Sequence, residues 1–315
     1  MEIALISAEN DPKLLWSCSL NGEKAGNLGA IPVELKLNSR RARAGWAIDF
    51  STLPGYRRKG IGSALVGEAN KRFDLFLAVG ATDMSFSLFS KMGWRHVGEL
   101  PHYLKIWDLR GLIRKKINNN FISALLSVPG YILLAIFNFF KRPHKVKGIK
   151  VERMDYFGRE ADLFWSRIEN YYRVVVPRDS AYLVNKYDKQ PGLQYVKFRA
   201  SRGGNVCGYA VARCVKSQTS DPEGLITDII VRPDDREAMR ALVSTVLRYL
   251  RSEGCSLARA YFSDKEIQRA LAESGFLRHK SQMRFLVNKN IDGCEEVYTL
   301  GNWYLSAGDS DIERA

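Results

Sequence analysis

Apolar residues recur along this chain in two registers. Over 14–20, 30–37 and 44–53 they alternate with small or polar residues or run unbroken for a few positions, the signature of strands. The first two are separated by the turn pair Asn21-Gly22. Stretches 73–79 and 98–107 read as two more strands, whereas 63–73 changes to helical spacing. Beyond residue 150, 156–172 and 180–187 read as helices, and 193–199 and 206–215 as strands around the turn 202–205. A strand at 225–231, a helix at 236–250, a strand at 257–262 and a helix at 265–273 follow. The second block repeats the plan of the first: 225–231 ends in Arg232-Pro233 as 44–53 ends in Leu53-Pro54, and 236–250 stands where 63–73 stood. The expectation is an α/β (α+β) protein of two like domains, 1–110 and 151–315, each a mixed, mostly antiparallel sheet flanked by helices, joined by 111–150.

That joining segment changes the picture most. The protein has 315 residues and a net charge of +14. Between Lys105 and Lys150 stand ten basic residues against Asp108 alone, so nine of the fourteen net charges fall there. They bracket 121–140, twenty residues without a charge, long enough for a membrane span. Pro129-Gly130 at the centre and basic residues on both flanks argue against a crossing. A helical pair between the domains and an interfacial hairpin on an anionic membrane surface both fit. The five cysteines are odd in number and lack metal-site spacing, so they read as reduced thiols, and no metal is expected. The N-terminal residues lack the basic and apolar regions of a secretion signal, so a cytoplasmic protein is expected, peripheral at the inner face of the membrane if 111–150 touches lipid.

The chemistry concentrates in residues 54–65, PGYRRKGIGSAL. A strand empties here into a loop bearing Arg57, Arg58, Lys59, Gly60 and Gly62, which opens directly into a helix. Glycines let a ligand approach the backbone, and amides at a helix N-terminus form an anion site. With three cations beside it, the expected anion is a phosphate or pyrophosphate. A P-loop would need Lys and Ser/Thr after its second glycine, where Ile61 and Gly62 stand. A dinucleotide fingerprint would need a third glycine where Leu65 stands.

What remains, Arg57-x-x-Gly60-x-Gly62, resembles the Arg/Gln-x-x-Gly-x-Gly/Ala signature of the GNAT acyltransferase superfamily. Strand, loop and helix come in that family's order, and 88–94, LFSKMGW, resembles its helix ending in Gly-aromatic. The second block has Asp234-Asp235-Arg236 in place of the glycine loop. The whole chain thus resembles bacterial tandem-GNAT proteins in which one half keeps the coenzyme site. The first half departs from that plan in lacking the pair of helices that usually precedes the second strand.

The resemblance implies an acetyl-coenzyme A site formed by Arg57, Arg58, Lys59, Gly60, Ile61, Gly62 and Ser63. It also implies backbone amides around Ser51, Thr52 and Leu53 to polarise the thioester. It places Phe89 where many members carry a tyrosine as general acid, and phenylalanine has no proton to give. Tyr103 and Ser87 are alternative proton sources. Asp49, the acidic residue on the strand entering the loop, is the candidate general base. Arg178, Asp179 and Tyr182 are candidate acceptor contacts from the second half, with Asp179 equally readable as a helix N-cap.

The leading expectation is an acyl-coenzyme A-dependent N-acyltransferase, an acetyltransferase, acting on a small amine such as an amino sugar or sugar nucleotide. The alternative is a non-catalytic coenzyme A-binding or membrane-surface scaffold. Nucleic-acid binding ranks last, because the basic residues flank an apolar stretch instead of interleaving with aromatics.

Overall fold

The computed structural model of the protein describes residues 1–6, 13–109, 136, 138, 141, 146–190, 192–216 and 221–314. The charge-free stretch 121–140 therefore lies outside the described residues except at 136 and 138. Among the described residues no helix is long and apolar enough to cross a membrane.

The first half runs β1 (Glu2–Leu5), β2 (Leu14–Leu20), β3 (Glu23–Leu37), β4 (Arg40–Thr52), α1 (Ile61–Asn70), β5 (Leu75–Val79), α2 (Asp83–Lys91), β6 (Arg95–Glu99) and β7 (His102–Ile106). After 148 come β8 (Ile149–Met154), α3 (Arg159–Ile168), β9 (Val174–Val175), the short α4 (Ser180–Leu183), β10 (Val196–Arg202) and β11 (Asn205–Val215). The chain continues through β12 (Glu223–Val231), α5 (Arg236–Ser252), β13 (Leu257–Tyr261), α6 (Lys265–Glu273), β14 (Leu277–His279) and β15 (Arg284–Lys289). Both sheets are mixed and mostly antiparallel, with parallel pairs at β4–β5 and β12–β13.

Neither sheet is built from one stretch of chain. The first runs β1-β2-β3-β4-β5-β15-β6 and the second β14-β7-β13-β12-β11-β10-β8, so the halves exchange a strand. β15 lies antiparallel between β5 and β6, and β7 lies antiparallel between β13 and β14. The single strand read at 98–107 is in fact two, in different sheets, parted at Leu100-Pro101. The crossing is tied by the Leu100 amide to the Met283 carbonyl (2.9 Å) and by the Ser281 hydroxyl to the Leu100 carbonyl (2.6 Å). Within the second sheet, buried Lys105 of β7 donates to the Ser274 carbonyl (2.8 Å). Burial, helped by the nearby charge of Arg251, pulls its pKa down to about 8.

One face of the first sheet is covered by α1 and α2. Ile61, Leu65, Val66 and Ala69 of α1 pack with Trp16, Leu28, Phe76 and Trp94. Burying each of the larger aliphatic side chains contributes about 1.5–3 kcal/mol, enough to anchor a short helix whose first turn is left free of side-chain caps. The opposite face carries Leu35, Trp46, Leu77 and Phe285 and is closed by the second half, through Val174, Val176, Trp303, Leu305 and Ile312. The second half thus supplies the covering layer on this face.

Candidate functional site

β4 pairs with β3 along its whole length, down to Thr52 opposite Gly26, but with β5 only from Ala44 to Trp46. Past Trp46 the two parallel strands part, and among the described residues the β5-side edge of 47–52 has no strand beside it. The register with β3 slips between Asn27 and Gly29, where Asp49 bulges out with φ of 50°. Asn27 stitches the bulge: its Nδ2 donates to the Asp49 carbonyl (2.5 Å) and its Oδ1 accepts from the Ser51 hydroxyl (3.0 Å). The carboxylate of Asp49 is exposed and forms no hydrogen bond or ion pair among the described residues.

Below this opening the chain makes a 3-10 turn, Pro54–Tyr56, and enters α1 through the basic loop. Arg58 and Gly60 both have positive φ, 60° and 80°. Gly60 is the N-cap, in a left-handed conformation that glycine adopts without cost. Among the described residues the amides from Arg58 through Ser63 donate to no backbone carbonyl, and the first α1-type bond beyond them is Ala64 to Gly60 (3.0 Å). Six successive donors at the head of a ten-residue helix make a partly positive cradle of amides. Arg57, Arg58 and Lys59 are exposed around it; Arg57 Nε reaches the Thr52 carbonyl (3.4 Å), and the Lys59 ammonium lies 5.2 Å from the Tyr56 ring centre. Tyr56 is itself held by the Glu23 carboxylate.

The other expected residues divide. Ile61 and Ser63 belong to the head of α1, with Ile61 buried in the core. The amide of Leu53 is taken by the Ala25 carbonyl (2.9 Å), so it has no donor left for a ligand. Phe89 is 2% exposed and packed between Phe50 (5.7 Å) and Trp94 (4.4 Å), a core position. Tyr103 points into the second half, where its hydroxyl donates to Gln268 (3.0 Å), and Ser87 is exposed on α2. Phe50 and Leu88 form the apolar flank of the opening, both within about 3.2 Å of where a side chain on Gly62 would begin.

The second half repeats this geometry and fills it. β12 pairs with β13 only from Glu223 to Ile226 and bulges at Thr227. Into that fork runs the segment after Thr299: Ser306 bridges Phe262, the Ser263 amide donates to the Leu305 carbonyl (3.0 Å), and the Gly308 amide to the Thr227 carbonyl (3.0 Å). At the head of α5, Asp235 accepts from the Ala238 amide (3.1 Å) and takes both Arg202 nitrogens (2.8 and 2.9 Å). A fixed carboxylate stands where a bound phosphate would stand, and backbone occupies the fork.

Arg178, Asp179 and Tyr182 belong to this plug. The Arg178 guanidinium is buried, bound to Asp228 (2.9 Å), Asp309 (2.7 Å) and the Val176 carbonyl (2.7 Å), and stacked near Tyr182 and Tyr304. Tyr304 and Tyr187 donate to Asp228 (2.7 and 3.0 Å). Burial pushes the Asp309 carboxyl up, against the pull of Arg178. Asp179 caps α4 through the Tyr182 amide (2.8 Å). Arg178 is thus fully engaged inside the protein, whereas Asp179 and Tyr182 are partly buried beside it. Gly308 tests the fit, since a Cβ there would stand 2.0 Å from the Tyr187 hydroxyl. Gly308→Ala is expected to destabilise the protein by about 1–3 kcal/mol in chemical denaturation, without weakening ligand binding at the first loop.

The forked parallel strands and the bulge, occurring twice around a strand exchange with a helix after each fork, decide the architecture. The chain has a tandem GNAT fold. A tandem GNAT protein from the clavulanic acid biosynthesis pathway superposes with a TM-score of 0.52 at 16% identity, covering 89% of this chain and 84% of that one. A GCN5-related N-acetyltransferase from Anabaena variabilis gives 0.58 at 11% identity, over 88% and 63%. Saccharomyces cerevisiae N-myristoyltransferase with bound myristoyl-CoA gives 0.55 at 10% identity, over 86% and 68%. The chain thus spans somewhat less than two thirds of the Anabaena protein. No protein-family model matches the sequence, and no curated protein does. Among the described residues of this tandem GNAT fold no group of His, Cys, Asp and Glu is arranged to hold a metal. A cleft of about 700 Å³ beside β8 and β10, lined by Lys150, Glu152, Glu160 and Arg199, has its charges paired with one another (Lys150–Glu152 2.7 Å, Arg199–Glu160 2.7 Å).

Proposed function

We propose that the protein is an acyl-coenzyme A-dependent N-acyltransferase, an acetyltransferase with a small amine as acceptor, working from its first half alone. The observation that carries this reading is the run of unpartnered amides from Arg58 to Ser63 beside the open edge of β4. The cradle fits a pyrophosphate, with Arg57, Arg58 and Lys59 around it. From there an extended thioester arm runs along 47–52 as an added strand would, between Phe50 and Leu88. Its carbonyl then reaches the bulge, where amides near Phe50 and Ser51 polarise it. The amine lone pair attacks that carbonyl carbon, the C–S bond breaks as the tetrahedral intermediate collapses, and the proton lost by nitrogen passes to Asp49 or water. With phenylalanine at position 89, the leaving thiolate takes its proton from solvent.

The acceptor class we favour is an amino sugar or sugar nucleotide, and the basic segment 111–150 suits an anionic or membrane-attached one, which would hold the protein at the inner membrane face. The experiment is thiol release from acetyl-coenzyme A in the presence of glucosamine, amino-sugar nucleotides and simple amines. Turnover is expected, and Asp49→Asn should lower kcat by about 10²–10⁴-fold with coenzyme affinity unchanged. A second reading, a coenzyme A-binding module without catalysis, is favoured by buried Phe89 and by Tyr103 pointing away. Coenzyme binding with no thiol release from any amine would establish it.

A further inference from the structure

The coenzyme loop leaves one reactive arrangement unused. Cys214, near the end of β11, and Cys255, in the turn between α5 and β13, bring their sulfur atoms to 3.2 Å, with the Cys255 thiol directed at the Cys214 sulfur. That is inside van der Waals contact and about 1.2 Å longer than a disulfide bond, a gap that side-chain rotation can close. The backbone around the pair is fixed. Cys214 lies opposite Gly224 of β12, whose neighbour in β13 is Ala258, three residues past Cys255. The Cys255 amide is held by the Leu250 carbonyl (3.1 Å) and the Ser256 amide by the Pro222 carbonyl (2.8 Å). Cys255 is buried, whereas Cys214 is only partly buried, so a small oxidant in solvent meets Cys214 first. Burial and the adjoining sulfur push the Cys255 thiol up, keeping it protonated until its partner has been oxidised.

We propose that Cys214 and Cys255 form a redox-active dithiol that a peroxide converts to a disulfide. The Cys214 thiolate attacks one peroxide oxygen, the O–O bond breaks, and the departing hydroxide takes a proton to become water, leaving a sulfenic acid. Cys255 then loses its proton as its sulfur attacks the Cys214 sulfur; the S–O bond breaks and a second water leaves. Two thiols are oxidised and one peroxide is reduced to two waters. The bond closes a loop across 41 positions of sequence. It joins the end of β11 to the start of β13, beside the point where the Trp107 and Asp108 amides bind the Ser256 carbonyl and β7 leaves the second sheet.

The test uses the full chain, treated with hydrogen peroxide, blocked with a maleimide and mapped by mass spectrometry after non-reducing digestion. A Cys214–Cys255 cross-linked peptide is expected, lost on treatment with dithiothreitol, together with a rise in thermal midpoint of the oxidised protein. Cys214→Ser and Cys255→Ser should each remove the cross-link and the rise. Because a serine variant could be destabilised by itself, Cys207→Ser serves as the control and should keep both. Sulfinic or sulfonic acid on Cys214 with no cross-link, or a cross-link to a different cysteine, overturns the proposal. The readout is independent of the coenzyme loop and stands whether or not the protein turns over an acyl donor.

Discussion

Acetyl-coenzyme A titrated calorimetrically into the protein is expected to bind at one site per chain, and Gly60→Asp with Gly62→Asp to abolish that binding. Two effects add. Gly60 has φ of 80°, so any side chain there costs about 1–2 kcal/mol of strain in the loop. Gly62 would place a carboxylate beside Leu88 and Phe50, at the mouth of the amide cradle. Like charge facing a phosphate costs several kcal/mol, so affinity should fall by at least about 10²-fold. Arg58→Ala keeps the cradle and removes one exposed cation; it should weaken binding by only a few fold, and less at high salt. Unchanged affinity in the double aspartate variant, shown to be folded by circular dichroism, would place the coenzyme elsewhere. Two sites per chain would mean that the tail does not close the second fork.

The second large effect is on stability. Arg178→Met should destabilise the protein by about 3–5 kcal/mol, a large share of the roughly 5–15 kcal/mol a typical domain has in total. Asp228 and Asp309 are buried and share this one guanidinium, which also holds the Val176 carbonyl. Removing it leaves two carboxylates 0% and 1% exposed at the side chain with no cation between them. Arg178→Lys should recover little, because an ammonium cannot span two carboxylates with the forked geometry of arginine. Urea unfolding of the three proteins measures this. Equal midpoints would show that the network does not carry the fold, and would return Arg178 to the list of groups available to a substrate.

The strand, basic turn and helix at 44–70 could be read from sequence because their signals are local: two closely spaced glycines, three cations and a helix start sit within ten positions, and no distant residue is needed to make the turn. β4, β12 and α6 were legible for a similar reason, since their apolar runs end at charged or turn residues. β7 was legible as a strand but not as a strand of the other sheet. The alternation in His102–Ile106 fixes which side chains face a core and says nothing of whose core it is. The break at Pro101, which lacks an amide for a ladder, was the available hint. Arg178 misled because arginine beside aspartate and tyrosine suits a ligand site and a buried ion network equally. Only the position of Asp309, 131 residues on, separates the two. Asn27 gave no signal, because a polar residue in a strand is ordinary until its partner strand bulges.

The strand exchange also dictates an order of events during synthesis. When the ribosome has made the first half, β5 and β6 are present but the strand that belongs between them is not; β15 is translated some 180 residues later. Until then β5, with Leu75, Phe76 and Leu77, offers an unpaired apolar edge, the kind that captures foreign strands. The second sheet has the opposite experience, since β7 exists before either of its neighbours. The nascent chain is thus most exposed to misassembly just before it is complete, and both sheets close almost together at its end.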